Sequence, residues 1–455
     1  MDETKKLADF AAALSFDDLP AAVAVKAKHC LLDFFANVYG SLQIDDVQRV
    51  VDYVRGLGGP DTATVLGAGF ATSAPQAAFV NGVCGEALEA QDGLRFGGNH
   101  PGVAVIPAVL AEAERKGLNG KQILTAIVAG YEIAGRIAAA VHPHHTLSGF
   151  LPTGTCGTFG AAAAAGKMMD LSADLMLQAL GNAGYLAPLS MAEHLMGGYT
   201  AKILQGGQAA SAGLNAAGLA RAGITGAPYV LEGSHLNGGF MQITTKDNAD
   251  PSRITDKLGE AFSIDDIYFK PYTACRHTHG SAQATLTLCA EHEFTPAQIE
   301  AVDVYTYMIA GIAVGKGVEE SSSFVAAQFS IPYVVAACLL DGDMGPAQFR
   351  PERVADEQVQ ALARKVVVHP DAELSENYPA VTASRVEIKL AGGETLVRQV
   401  DTPKGDPRDP MTAEDLAAKL ARFATANQQE KVSAIVETTL ALDQCDDIRK
   451  LTKLL

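Results

Sequence analysis

The 455-residue sequence predicts a mostly α fold, with a large all-helical domain and a smaller α+β domain. Apolar residues recur at helical spacing through roughly the first 265 residues. The alternation of apolar and polar residues that is typical of strands occurs only between roughly 300 and 400, and helical spacing returns after Pro410. We therefore predict that residues 1–267 and 405–455 form the helical domain, and that residues 268–404 form the α+β domain.

The helices of the large domain are predicted from apolar residues three and four positions apart. These segments are residues 4–13, 20–39, 47–56, 75–90, 107–116, 120–141, 157–170 and 206–222. The last two are rich in Ala and Gly, whose small side chains let helix backbones approach closely. This composition indicates a tightly packed all-α core.

The smaller domain is predicted from short strand patterns around one apolar helix. The strand patterns are residues 300–306, 365–369, 386–390 and 396–400. The last two form a hairpin around Ala391-Gly392-Gly393, and an Ala- and Val-rich helix covers 329–340. Thr412 and Asp415 form an N-cap pair for the helix that follows Pro410.

The composition excludes several classes of partner. With 35 Lys plus Arg against 52 Asp plus Glu, the net charge of -17 argues against binding to nucleic acid or to an anionic membrane. Residues 125–141 come closest to the ~18 apolar residues of a membrane helix, but Glu132 and Arg136 interrupt them. The first residues lack a signal-peptide pattern, and the seven cysteines lack a Cys-x-x-Cys pair. We expect a cytoplasmic protein with reduced thiols.

No cofactor or metal motif is complete. Gly160–Lys167 has five residues between its glycines and is followed by Met168, so it is not a phosphate-binding loop. A Gly-x-Ser-x-Gly elbow is absent, which argues against a serine hydrolase. The histidine groups at 142–145 and 277–279 lack a carboxylate at ligand spacing. We predict neither a metal nor an organic cofactor.

Four segments concentrate groups suited to binding and proton transfer. Residues 269–279 gather six of them, which are Lys270, Tyr272, Cys275, Arg276, His277 and His279. Cations are scarce in this acidic chain, so their presence beside imidazoles indicates an anionic substrate whose chemistry moves a proton.

The other three segments follow or begin helices. A Gly-rich loop carries Asp92, Arg95 and His100. Thr153 begins a helix whose first amide groups could bind a carboxylate, although a simple helix cap is an equal alternative. Lys202 precedes an uncharged helix, where it is either a buried cation facing a ligand or a surface lysine.

Six segments, taken in order, resemble the MmgE/PrpD family of 2-methylcitrate dehydratase, cis-aconitate decarboxylase and iminodisuccinate epimerase. They are His100-Pro-Gly-Val-Ala-Val-Ile-Pro-Ala, Gly130-Tyr-Glu-Ile-Ala-Gly-Arg-Ile, Pro152-Thr-Gly-Thr-Cys-Gly-Thr-Phe-Gly, Ala201-Lys-Ile-Leu-Gln-Gly-Gly-Gln-Ala-Ala, Phe269-Lys-Pro-Tyr and Cys275-Arg-His-Thr-His. The resemblance implies a helical domain plus a smaller α+β domain, a homodimer, no cofactor, and a site between the domains. It also implies that Asp92 and His100 occupy the acidic-loop and histidine positions, and Lys202 the helix lysine.

Two departures from the family pattern bear on the reaction. The chain has Ala90-Gln-Asp-Gly where relatives commonly have Asp-Phe-Asp-Asp. It has Leu151 where many relatives have a histidine that belongs to the decarboxylase site. This second departure disfavours cis-aconitate decarboxylation.

We therefore expect a cofactor-independent lyase of the dehydratase type, acting next to a carboxylate of a small, 2-methylcitrate-like di- or tricarboxylic acid. Cations stabilise the negative charge that develops on that carboxylate, and their mutual repulsion is expected to lower a lysine pKa in the empty site. The expected catalytic residues are Asp92, His100, Lys202 and His277. The expected substrate-binding residues are Arg95, Thr153, Lys270, Tyr272, Cys275, Arg276 and His279. Two different functions stay open, namely an epimerase or isomerase acting on an iminodisuccinate-like dicarboxylate, and a non-catalytic carboxylate-binding relative.

Overall fold

The structure, a computed structural model, describes residues 2–455. The helices of the N-terminal part are α1 Glu3–Ala13, α2 Ala21–Ser41, α3 Asp45–Leu57, α4 Ala74–Ala87, α5 Gly102–Lys116, α6 Gly120–Val141, α7 His144–Leu147, α8 Pro152–Met168, α9 Ala173–Leu186, α10 Glu193–Met196, α11 Leu204–Arg221, α12 Phe240–Thr245 and α13 Ser252–Thr255. Two short antiparallel pairs join them, β1 Ala63–Val65 with β2 Phe70–Thr72, and β3 Gly93–Leu94 with β4 Ile267–Tyr268. The predicted helical character is confirmed, whereas these four short strands were not predicted.

Helices α4, α5, α8 and α11 pack against one another at the centre of this part. A Cβ atom built on Gly213 would lie 2.5 Å from the Cβ of Ala161, so α8 and α11 approach too closely for any larger residue there. The small-residue runs of the two helices are therefore a packing feature, as predicted.

Helix α5 begins five residues earlier than the predicted start at Pro107, which lies inside the helix. Proline has no N–H group to donate to the carbonyl four residues before it, that of Val103. This carbonyl faces Gly82 of α4, where a built Cβ would lie 2.8 Å from the Val103 oxygen. Because a glycine occupies this position, α4 can approach the carbonyl closely.

The smaller part is built around a four-stranded sheet. Its elements are α14 His279–Glu291, β5 Ile299–Thr306, α15 Met308–Val314, α16 Phe324–Gln328, α17 Ile331–Asp341, α18 Pro351–Val354, α19 Glu357–Ala363, β6 Val366–Pro370, α20 Ala372–Glu376, β7 Ser384–Leu390 and β8 Thr395–Val400. The strand order is β6-β5-β7-β8, in which β5 and β6 are parallel and the other pairs are antiparallel. Helix α14 packs on β7 and β8. The predicted α+β character of this part is confirmed.

The chain then returns to the helical part through α21 Ala413–Phe423, α22 Val432–Leu440 and α23 Arg449–Thr452. The predicted capping pair is present, because the amide of Asp415 donates to the hydroxyl of Thr412 at 3.2 Å and the amide of Thr412 donates to the carboxylate of Asp415 at 2.9 Å. Helices α21 and α22 pack on α2. The amide of Phe269 donates to the carbonyl of Gly405 at 2.9 Å, so the two crossings between the parts lie side by side.

Helix α6 is the one helix of residues 2–455 that is long and apolar enough to cross a membrane. It is almost wholly buried inside the protein, as a core helix is. Glu132 and Arg136, which interrupt its apolar run, form an ion pair at 2.5 Å. All seven cysteines are free thiols, as predicted.

Candidate active site

The turn that follows α4 carries two buried carboxylates. Glu86 lies in the last turn of the helix, and Glu89 lies two residues beyond its end. The backbone of Glu89 has a φ of 53°, in the left-handed region that is uncommon for residues other than glycine. Such a conformation is maintained only where the surroundings hold it, and it turns the Glu89 side chain toward two lysines.

These lysines come from distant parts of the sequence. Lys202 lies in the short 3₁₀ turn Thr200–Ile203 before α11, and Lys270 follows β4. The Glu89 carboxylate accepts hydrogen bonds from Lys202 Nζ and, at 2.7 Å, from Lys270 Nζ. Lys202 Nζ also donates to Glu86 Oε1 at 2.7 Å. All four side chains are buried, so the structure brings them together in one desolvated ion cluster.

The carboxylates determine the pKa values in this cluster. Burial opposes the charge of Lys202, but Glu86 and Glu89 outweigh it and raise the pKa of the lysine. Burial also opposes the charge of Glu89, yet Lys202 and Lys270 hold its pKa well below the usual range. The expectation that repulsion lowers a lysine pKa is therefore wrong for Lys202, because each cation has a carboxylate partner.

His100 lies at the edge of this cluster in a defined orientation. Its backbone N–H donates to Thr153 Oγ1 at 3.0 Å, and its Nδ1 lies 2.6 Å from the carbonyl oxygen of Asp92. Because a carbonyl can only accept, this contact assigns the ring hydrogen to Nδ1. Nε2 then carries the lone pair and lies 4.0 Å from Glu89 Oε1.

His100 is neutral at physiological pH. Burial, followed by the charge of Lys270, lowers the pKa of the ring to about 3. A neutral imidazole with its lone pair on Nε2 has the form of a general base. It becomes an effective base only when its pKa rises toward neutrality.

Asp92 contacts His100 through its backbone, and its own carboxylate is held by hydrogen bonds. Its carboxylate accepts hydrogen bonds from the hydroxyl of Tyr131 at 2.6 Å and from the amide of Gly102 at 3.2 Å. Burial, together with the nearby charge of Asp33, raises the pKa of Asp92 to about 7. The backbone carbonyl of Asp92, rather than its carboxylate, orients the imidazole.

His277 provides a second imidazole from the smaller part of the chain. Its Nδ1 lies 2.5 Å from the hydroxyl of Tyr307, whose ring stacks on Tyr378. Burial, then the charges of Lys270 and Arg276, lower the pKa of His277 to about 4. His277 therefore lies within the electrostatic influence of the lysine–glutamate cluster.

Four other expected site residues have structural partners. Arg95 donates to Asp406 at 2.8 Å. The guanidinium group of Arg276 donates to the carbonyls of Pro403 and Lys404 at 2.7 and 2.8 Å. His279 is fully buried, with Nε2 3.0 Å from the Ala274 carbonyl and its ring 5.2 Å from that of Tyr272. Their roles in substrate binding stay predictions.

Burial also governs Cys275. It raises the pKa of this thiol to about 12, and the charge of Glu89 acts in the same direction. The thiol therefore stays protonated near neutral pH.

Position 151 has no imidazole, but two histidines lie near it. Leu151 precedes α8, and its amide donates to the Ser190 carbonyl at 2.7 Å. His145 Nε2 lies 2.8 Å from Thr155 Oγ1 in the first turn of α8. His142 lies against Gly98, where a built Cβ would be 3.0 Å from its Nδ1.

The last turn of α4 and the loop between α4 and α5 also hold buried polar atoms without a hydrogen-bond partner among residues 2–455. They are Glu86 Oε2, Arg95 Nε, and both side-chain polar atoms of Gln91 and of Asn99. Buried polar atoms normally bind protein, water or a ligand. Their concentration in this segment indicates a site for water or for a small polar ligand.

Cavity size does not identify this site. A cleft of about 650 Å³ lies elsewhere, between the start of α1 and residues 228–251, and its lining includes Asp2, Glu232 and Asp247. An acidic lining is unsuited to an anionic substrate, so we place the site at the lysine–imidazole cluster. Within residues 2–455, no three His, Cys, Asp or Glu side chains are grouped as metal ligands. Metal independence stays a prediction.

Four residues of the site were not among the predicted ones: Glu86, Glu89, Tyr131 and Tyr307. Glu86 and Glu89 are three positions apart in an otherwise apolar, small-residue segment, which is the same signal that identified Lys202. The two tyrosines gave no comparable signal.

Comparisons with known proteins agree with this architecture. The model of the MmgE/PrpD N-terminal domain matches residues 5–252, and that of the MmgE/PrpD C-terminal domain matches residues 272–442. A cis-aconitate decarboxylase of Aspergillus terreus is 28% identical, over 99% of this chain and 95% of the relative. The cis-aconitate decarboxylase of Mus musculus is 27% identical, over 99% and 93%.

A 2-methylcitrate dehydratase of Salmonella typhimurium is 24% identical, over 92% of this chain and 90% of the relative. The two domain models together cover most of the sequence. The chain therefore belongs to the MmgE/PrpD family.

Proposed function

We propose that this protein removes a proton from the carbon next to a carboxylate of a small di- or tricarboxylic acid, with dehydration as its leading reaction. Its relatives are named decarboxylases and dehydratases, which are both lyases, and the chain is an enzyme of that class. One observation carries the proposal. A neutral imidazole, that of His100, presents its Nε2 lone pair beside a buried cluster that contains Lys202 and Lys270.

The proposed reaction has two parts. His100 Nε2 takes the proton from carbon, and the electron pair of the C–H bond moves into the adjacent carboxylate. Lys202 and Lys270 stabilise the charge that develops there, and they act more strongly in the transition state than in the ground state. The electron pair then returns and expels the β-hydroxyl group, which leaves as water with the proton of His277 in its imidazolium form, the form that the charge of the bound substrate favours.

The negative charge of a bound substrate raises the pKa values of the two imidazoles. Two lysines and two glutamates balance formally in the cluster, so the carboxylates of a bound substrate add net negative charge beside His100 and His277. Negative charge favours the protonated form of an imidazole and raises its pKa. Binding therefore moves both rings from their low pKa values toward the range in which they exchange protons.

A second reaction, decarboxylation, is favoured by the 28% identity to the Aspergillus terreus decarboxylase. It would break a C–C bond, release CO₂ and require only a proton donor to the carbon. Leu151, at a position where many relatives have histidine, argues against it. Epimerisation of a dicarboxylate and a non-catalytic binding role are the two remaining hypotheses.

Proton NMR in D₂O with a panel of citrate-like and succinate-like acids distinguishes these reactions. We expect new vinyl signals from dehydration without release of CO₂. Vinyl signals with CO₂ release would instead indicate decarboxylation, and deuterium exchange without an olefin would indicate epimerisation. Silence across the panel, in a folded protein that no acid stabilises, would contradict the proposal.

We also propose the homodimer that the family resemblance implies, in a cytoplasmic protein. The segment from the end of α9 to α11 exposes several large apolar side chains, among them Tyr185 at 92% and Leu189 at 68%. Exposed apolar patches of this kind often form subunit interfaces. Light scattering after size exclusion should give twice the chain mass for the wild type and for Leu57→Asp on α3. Leu189→Asp should give the mass of one chain, and a monomeric wild type would contradict the proposal.

A further inference from the structure

Beyond the residues placed in the reaction, a second buried ion pair lies beneath the turn that carries Glu89. Lys419 of α21 and Asp33 of α2 are 3% and 1% exposed, and Lys419 Nζ lies 2.6 Å from Asp33 Oδ1. The same Nζ donates to the backbone carbonyl of Ala90 at 2.6 Å. The Lys419 ammonium group therefore contacts the backbone of the turn, at the residue that follows Glu89.

We propose that Lys419 is a positioning residue, which holds the turn after α4 so that Glu89 stays between Lys202 and Lys270. The proposal rests on the function proposed above. Lys419 belongs to the segment that follows the smaller part of the chain, more than 320 residues beyond the turn that it contacts. It thus makes the geometry of the site depend on the C-terminal helices.

Three side chains donate to three backbone carbonyls at the end of α4 and in this turn. Gln328 Nε2 donates to Ala87 O at 3.0 Å, Lys270 Nζ donates to Glu89 O at 3.0 Å, and Lys419 Nζ donates to Ala90 O. Each donor comes from a different element. This arrangement is what a left-handed Glu89 requires, because an unfavourable backbone conformation persists only when its surroundings fix it.

Loss of one donor therefore allows the turn to relax. The Glu89 carboxylate would then move relative to Lys202 and His100, with no change in the chemical identity of any group that faces the substrate. A displacement of about 1 Å in a catalytic arrangement lowers the rate about 100-fold. We expect a fall in kcat of roughly 10- to 100-fold, with a smaller change in KM.

The variants must separate positioning from charge balance. Lys419→Met alone leaves Asp33 as an unpaired buried carboxylate, which destabilises the fold. The double variant Lys419→Met/Asp33→Asn removes both charges but still leaves the Ala90 carbonyl without its donor. Lys28→Met is the matched control, because Lys28 also joins a backbone carbonyl, that of Leu440, to a carboxylate, away from the site.

Kinetics with the acid identified by NMR give the first readout. We expect the double variant to keep the thermal stability of the wild type and to lose kcat, while Lys28→Met keeps its kcat. A double variant with kcat within twofold of the wild type would overturn the proposal, because Lys419 would then serve charge balance alone.

The second readout is independent of turnover. The ring-nitrogen NMR signals of His100 report its titration, which depends on the nearby Glu89 carboxylate. We expect this titration to shift in the double variant and not in Lys28→Met, whereas an unchanged titration would overturn the positioning role. If the wild type showed no turnover but the His100 titration still differed between the double variant and the wild type, the proposed reaction would be refuted and the positioning role would stand.

Discussion

Replacement of Lys202 by methionine tests the buried ion cluster most directly. Lys202 is 4% exposed and is shared between two carboxylates, so its removal leaves more buried negative charge than the cluster can balance. Glu89 keeps Lys270 as a partner, while Glu86 keeps only the amide of Gln205 at 2.8 Å. Breaking a buried pair from one side costs about 3–5 kcal/mol. We expect a loss of unfolding free energy of that size at pH 7.

The pH dependence of this loss has a defined sign. Burial already raises the pKa of Glu86, and removal of Lys202 raises it further above its unfolded value. A carboxyl group whose folded pKa is raised contributes stability at low pH, and this contribution is lost as pH rises through the folded pKa. The stability difference between Lys202→Met and the wild type should therefore be smaller at pH 5.5 than at pH 8.

Urea unfolding, followed by circular dichroism at the two pH values, gives these free energies. Lys450→Met is the control, because Lys450 pairs with Asp446 on the exposed surface and its loss should leave the urea midpoint unchanged. Adding Glu86→Gln to Lys202→Met should recover part of the loss. A loss below about 1 kcal/mol that does not vary with pH would refute a charged, desolvated cluster.

Three further predictions concern the imidazoles and Asp92. His100→Gln should lower kcat/KM by about 100-fold or more, because it removes the general base. His292→Gln is the control, because this histidine is exposed and its replacement should leave turnover unchanged. Steady-state assays in which His100→Gln is as fast as the wild type would contradict the role of His100. Binding of a carboxylate should raise the pKa of His100 and of His277, so the protein should take up protons on binding and bind the carboxylate more tightly as pH falls. Calorimetry in buffers of different ionisation enthalpy measures this uptake, and binding without it would contradict the coupling. Asp92→Asn should become more stable relative to the wild type as pH rises toward about 7 and should keep that difference above it, because the Asp92 carboxyl, with its raised folded pKa, loses its stabilisation between its usual pKa and about 7. A difference in unfolding free energy that does not vary over this range in urea titrations would exclude that pKa.

The regular elements were predictable because their signal is local. Helix α6 begins and ends where the sequence predicts, and the strands of the hairpin extend only one or two residues beyond the predicted segments. Helix α5 departed from prediction because its proline lies inside the helix, where the carbonyl that the proline leaves without its N–H donor faces Gly82, twenty-five residues before the proline. Contacts between distant segments leave no periodic pattern in the sequence.

The sequence allowed the residue types of the site to be predicted, but it did not show which side chains bind to one another. Lys202 and His100 were identified as unusual residues in their segments, whereas the meaning of Glu89 depends on two lysines more than 110 residues away. The same limit applies to Arg276, whose guanidinium group binds backbone carbonyls near residue 404 that its own segment does not reveal. Residue types indicate which chemistry is present, and only the fold assigns the partners.

The hydrogen bond from Phe269 to Gly405 has a consequence for motion. It places the two connections to residues 270–404 side by side, so one junction joins this part of the chain to the helical part. The guanidinium group of Arg276, the residue before His277, donates to the carbonyls of Pro403 and Lys404 at the same place. Any movement of this junction would therefore shift Lys270 and His277 together, because each is the chain neighbour of a residue that forms it.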